Sequence, residues 1–95
     1  MTNEGAESPA GGGGEKGPPL KDLVLFLARA LVEHPDQVVV EEIQEPDAVV
    51  YELKVAESDL GRVIGRQGRT AKALRGIMKA GGIKEEKRVL VEILD

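Results

Sequence analysis

Apolar residues at Leu20, Leu23, Val24, Leu27 and Leu31 recur every three or four positions, the spacing of a helix with one buried face. Pro18 and Pro19 precede this run, and Pro19 suits the first helical position, where its missing N–H costs nothing. The helix is predicted to stop at His34, because Pro35 disfavours helical geometry in the residue before it. The period then changes. Val38 to Val40 open a β-rich run that reaches about Gln44, and Glu45-Pro46-Asp47-Ala48 reads as a tight turn. Val49, Tyr51, Leu53 and Val55 alternate with Val50, Glu52 and Lys54, which is strand periodicity, so the two runs form a hairpin.

Ser58 can cap a short second helix, with Asp59 at its positive end, Leu60, Val63 and Ile64 on one face and Gly65 ending it. A third helix is predicted from about Arg69 to Ala80, with Ala71, Leu74 and Met78 as its apolar stripe and Ala73 and Ile77 beside it. Gly81-Gly82 is expected to close it, and Val89 to Leu94 reads as the last strand. The fold class is therefore α+β, in the order helix, strand, strand, helix, helix, strand. A helical crossover separates the last two strands, so they should be parallel, within a three-stranded mixed sheet covered by helices on one face.

Residues 1–18 contain no Val, Ile, Leu, Phe, Tyr or Trp, and Gly11 to Gly14 is an unbroken glycine run. Such a segment buries too little to offset its ordering entropy, so it is expected to be a disordered tail ahead of a single domain at residues 19–95. The tail has neither a basic start with an apolar stretch nor the glycine that myristoylation requires. Leu23 to Leu27 is too short to span a bilayer, so no membrane partner is expected. The absence of cysteine removes disulfides, thiolate metal sites and thiol nucleophiles, and permits a reducing cytoplasm.

Charge changes the picture. The net formal charge of −4 argues at first against nucleic acid. Between residues 61 and 88, however, nine Lys and Arg stand against only Glu85 and Glu86, so this third of the chain carries +7 while residues 20–60 carry −7. Screening confines each charge's influence to about 10 Å, so one basic face suffices. Inside the island lies Ile64-Gly65-Arg66-Gln67-Gly68-Arg69-Thr70. Gly65 lets the chain leave one helix sharply, and Gly68 lets it enter the next with no Cβ in the way. Backbone N–H groups at the start of that helix suit a phosphate, with Arg66, Arg69, Lys72 and Arg75 as its cations. Val63, Ile64 and Ala71 are expected to floor a groove for bases. A glycine pair alone more often makes a plain helix–helix turn; the basic residues and the element order around this one favour phosphate. The spacing matches neither a dinucleotide fingerprint nor a nucleoside triphosphate cradle.

The run Val63-Ile64-Gly65-Arg66-Gln67-Gly68-Arg69-Thr70-Ala71-Lys72-Ala73-Leu74-Arg75 resembles the signature of the KH domain, a single-stranded nucleic-acid module built on a GXXG loop. The element order is similar to the type II, prokaryotic arrangement. His34-Pro35-Asp36 before the first strand and the ending Arg88-Val89-Leu90-Val91-Glu92-Ile93-Leu94-Asp95 are similar to small bacterial single-KH proteins. The resemblance covers about residues 19–95 and departs at the Gly-rich tail. It implies RNA binding in the cytoplasm, with the loop of Gly65, Arg66, Gln67 and Gly68 clamping about four nucleotides. It also implies an RNA chaperone that pairs with a second, KhpB-like RNA-binding protein and affects cell wall synthesis and cell shape.

The remaining features carry less. His34, the only histidine, sits where a helix should end and is expected to interact with its dipole rather than with a metal. Glu41, Glu42, Glu45 and Asp47 read as solvated hairpin positions, since nothing nucleophilic accompanies them; no enzyme and no cofactor is expected. Tyr51 and Phe26 are expected to be structural, which leaves base recognition to apolar contacts and hydrogen bonds. A homodimer or heterodimer is expected, with Leu25 and Val32 on a second face of the first helix as its surface. The alternative reading is a KH-fold protein–protein adaptor that does not bind RNA.

Overall fold

The computed structural model describes residues 19–95, so the tail expected to be disordered lies outside the described residues. Helix α1 (Leu20–Leu31) is followed by strands β1 (Val39–Glu45) and β2 (Ala48–Lys54), helices α2 (Leu60–Ile64) and α3 (Arg69–Lys84), and strand β3 (Val89–Ile93). Short 3₁₀ turns lie at Pro35–Gln37, Glu57–Asp59 and Arg66–Gly68. The sheet order is β1-β2-β3, with β1 antiparallel and β3 parallel to β2. This is the mixed sheet expected of a type II KH fold.

Strand alternation sorts the sheet into two faces. Val40, Val49, Tyr51, Leu53, Val89 and Val91 are buried beneath the helices, which supply Leu20, Val24, Ala28, Val63, Leu74 and Met78. Leu53 and Met78 are fully buried at the centre. Removing either side chain to alanine leaves a cavity and costs about 2–5 kcal/mol.

Among the described residues no helix lies over the other face. Cross-strand register puts Ile43, Val50 and Leu90 in one row and Glu41, Glu52 and Glu92 in the next. Three carboxylates thus stand directly opposite one another, an arrangement that opposes sheet formation.

Three details differ from the sequence-based expectations. Helix α1 stops at Leu31, because Val32 is already extended (φ −103°, ψ 164°), and Pro19 precedes the helix rather than opening it. Leu25 and Val32 pack against the core, which removes them as a second exposed face; Phe26 instead points outward, 68% exposed. Helix α3 runs through Gly81 and Gly82 to Lys84. Gly82 serves close approach, not termination: a Cβ there would lie 2.7 Å from the Lys87 carbonyl oxygen and 2.5 Å from Val89 Cγ2.

Glu52 stands between two like charges, so Glu52→Gln should stabilise the domain by about 0.2–1 kcal/mol. Thermal melts at low salt are expected to show Tm rising by about 1–8 °C, with a smaller gain at 1 M salt. A fall in Tm at low salt would show that this row is not strained.

Candidate nucleic-acid interface

Helix α2 delivers the chain to Gly65, whose φ of 77° lies in the region open to glycine. Its N–H donates to the Gly61 carbonyl at 2.8 Å. A Cβ at Gly65 would run into the Thr70 side chain and lie 2.8 Å from the Thr70 backbone nitrogen, so the position excludes every larger residue. Gln67 (φ 57°, ψ 25°) and Gly68 (φ 74°, ψ 13°) then turn left-handed in succession, and the Gly68 N–H closes on the Gly65 carbonyl at 3.1 Å. This tight loop leaves the Arg66 and Gln67 side chains exposed at its apex.

Helix α3 starts directly from the loop. No side chain caps its N-terminus and its first turn holds no acidic residue, so the positive end of the helix dipole is uncompensated. Arg66, Arg69 and Lys72 are exposed around it, and none joins an ion pair among the described residues. Arg62, also part of the basic island, is already engaged by Glu33 at 2.7 Å and by Asp59 at 3.7 Å.

The predicted floor is only partly at the surface. Val63 is fully buried and Ala71 is 4% exposed, so both belong to the core, because the inward face of each helix must cover the sheet. Ile64, one position on, is 38% exposed beside the loop.

A groove of about 450 Å³ opens farther along α3. Arg75, Lys79 and Ile83 line one wall, Val89, Leu90 and Val91 the other, and Lys87 and Arg88 close one end. Four cations and no carboxylate face it. Val49 N–H bonds to Arg88 O, and Leu94 N–H to Leu53 O. Even-numbered residues of β3 therefore address β2, and the backbone of Val89, Val91 and Ile93 addresses the open edge beside α3. Arg75 Nε donates to the Val91 carbonyl at 3.1 Å across this edge. Lys79, Lys87 and Arg88 were visible in the sequence only as charges. Their place in a groove depends on β3 lying at the sheet edge.

Asp59 supports the site from behind. It is 1% exposed and accepts the backbone N–H groups of Glu33 (3.1 Å) and His34 (3.0 Å), with His34 Nδ1 also 3.0 Å from its carboxylate. It thus holds the chain leaving α1 against the start of α2, instead of Ser58 capping that helix, and His34 bonds to this carboxylate rather than serving the α1 dipole. Burial alone would raise the Asp59 pKa, but the hydrogen bonds from Glu33 and His34 outweigh it and hold the carboxyl below its usual value. Tyr51 is only 3% exposed, and burial, with the charges of Glu42 and Glu85, pushes its phenol up. It is unavailable for stacking on a base.

The KhpA/KhpB KH-domain profile matches residues 21–93. The chain belongs to this family. The family's RNA-binding protein KhpA from Caldanaerobacter subterraneus is 52% identical over 73 residues, covering 77% of this chain and 97% of that relative. The KhpA protein of Clostridium acetobutylicum is 49% identical over 75 residues, covering 79% of this chain and all of that relative. Among solved structures, the Era protein of Aquifex aeolicus bound to GDP and aluminium fluoride superposes with a TM-score of 0.56 at 22% identity. The match covers 81% of this chain and 31% of Era, and shows the fold alone.

Two expectations follow for the family member in hand. A carboxyl with a depressed folded pKa adds stability above about pH 4 and loses it as the pH falls through the folded value. Asp59→Asn should therefore lower Tm at pH 7, and its deficit against wild type should shrink as melts are taken down below pH 4. A deficit that is constant with pH would remove the carboxylate from this role. Gly68→Ala meets no atom within 4 Å and should cost only left-handed backbone strain, about 1–2 kcal/mol. Gly65→Ala also collides with Thr70 and should cost more, with amide shifts throughout the loop in NMR spectra.

Proposed function

We propose that the chain binds single-stranded RNA. Phosphates sit on the loop from Gly65 to Gly68 and on the first turn of α3, held by Arg66, Arg69 and Lys72. Bases continue past Ile64 into the groove between α3 and the open edge of β3. The observation that carries this reading is the uncapped N-terminus of α3, which opens from a loop that only Gly65 permits and is ringed by exposed cations that pair with no carboxylate among the described residues. With Tyr51 buried, the groove offers bases no aromatic platform, so recognition rests on aliphatic side chains, the β3 backbone and the basic residues. The relatives' description as RNA-binding proteins supports the same activity.

On this reading the protein acts in the cytoplasm as an RNA chaperone and post-transcriptional regulator, without catalysis and without a cofactor, and affects cell wall synthesis and cell shape. A KhpB-like protein or a second copy is its partner; the family's shared KH domain supports the former. Phe26, 68% exposed on α1, and Ile77, 47% exposed on α3, offer apolar contact outside the groove. The same two residues favour the second reading, an adaptor that contacts only protein.

Arg66→Asp with Gln67→Asp places two carboxylates where phosphate should lie and touches no core residue. Fluorescence anisotropy with a single-stranded RNA is expected to show binding abolished, with an unchanged circular dichroism spectrum. For the wild type, two to four phosphate contacts predict a slope of log affinity against log salt of about −1.4 to −2.8. Unchanged affinity in the double variant would remove the loop as the binding site, preference for a duplex would count against a KH mode, and a wild type that binds no RNA would favour the adaptor.

A further inference from the structure

Among the cations expected to meet RNA, Arg66, Arg69 and Lys72 are exposed with no ion-pair partner among the described residues, while Arg75 is tied down. Its Nε donates to Val91 O at 3.1 Å, a bond that crosses from α3 to the open edge of β3 and is partly buried. No carboxylate pairs with Arg75 among the described residues. The side chain is therefore anchored at one nitrogen, while its two terminal Nη groups, held in a rigid plane, have no partner among the described residues. It lines the groove, away from the loop where phosphate would sit.

An anchored, unpaired guanidinium is a two-pronged donor, and it fits a ligand edge with two adjacent acceptors. Guanine presents such an edge at O6 and N7, and cytosine at N3 and O2. Adenine and uracil do not: adenine N7 and N1 each neighbour the N6 amino donor, its N3 stands alone, and uracil O4 and O2 flank the N3–H donor. We propose that Arg75 is a specificity-determining residue, selecting cytosine or guanine over adenine and uracil for the base seated between α3 and β3. This rests on the RNA-binding reading above and assigns Arg75 to a base rather than to the phosphate backbone.

The test uses the full chain and four RNA octamers, uridine throughout except for a central C, G, A or U, titrated by fluorescence anisotropy. A good bidentate pair is worth about 5- to 150-fold. The C or the G octamer is expected to bind at least about fivefold tighter than the all-U octamer, with the A octamer close to all-U. Arg75→Lys keeps the charge and loses the fork. The ratio of preferred-base to all-U affinity should collapse below about twofold, whatever the change in overall affinity.

A ligand-side control needs no variant. Replacing the preferred base by 3-deazacytidine or 7-deazaguanosine deletes one acceptor and should erase the wild-type preference. Wild type that binds all four octamers alike, or favours A or U, overturns the inference while leaving RNA binding intact. So does a preference that survives Arg75→Lys or the deaza base. Failure to bind any octamer overturns the RNA reading and this inference with it.

Discussion

The parallel pairing of β3 with β2 is the constraint on which the rest of the molecule depends. Parallel neighbours cannot be joined by a tight turn, so the chain must return along the sheet through a crossover. Here that crossover is α2, the glycine loop and α3, and its two apolar helix faces complete the core over Val49, Tyr51 and Leu53. The same return lays α3 beside the free edge of β3. Groove and loop are thus by-products of how a small sheet is covered.

The elements around the loop differ in how firmly they are held. Gly65 leaves no space for a side chain, and Asp59 secures the exit of α1 to the start of α2 through hydrogen bonds from two backbone N–H groups and a histidine ring. Arg66 and Gln67, between the glycines, are exposed, and their side chains make no hydrogen bond or ion pair among the described residues. A backbone held this way suits an anionic chain, since its N–H donors are already oriented and lose little order on binding.

Charge is divided in the same spirit. The outer sheet face carries the row Glu41, Glu52 and Glu92, while the loop and α3 carry exposed cations. Like charges across strands cost stability, yet an acidic back keeps polyanions from binding anywhere but the basic face. A chain of net charge −4 can therefore hold a basic site without attracting nucleic acid over its whole surface.

Periodicity and turn chemistry alone determined the order of the elements, the hairpin at Pro46-Asp47, the glycine loop and the basic segment that contains it, because each is a property of residues within a few positions. What lay between distant residues was decided only in three dimensions. Val63 and Ile64 are neighbours with similar side chains, and the sequence treats them alike; packing against the sheet buries the first and exposes the second. Gly81-Gly82 has the composition of a helix stop, but contact with Lys87 and Val89 sets its role. His34 meets Asp59 across 25 positions, and Arg75 meets Val91 across 16. No local pattern encodes those two contacts, since each is a hydrogen bond between groups that come together only once the sheet and its crossover have formed.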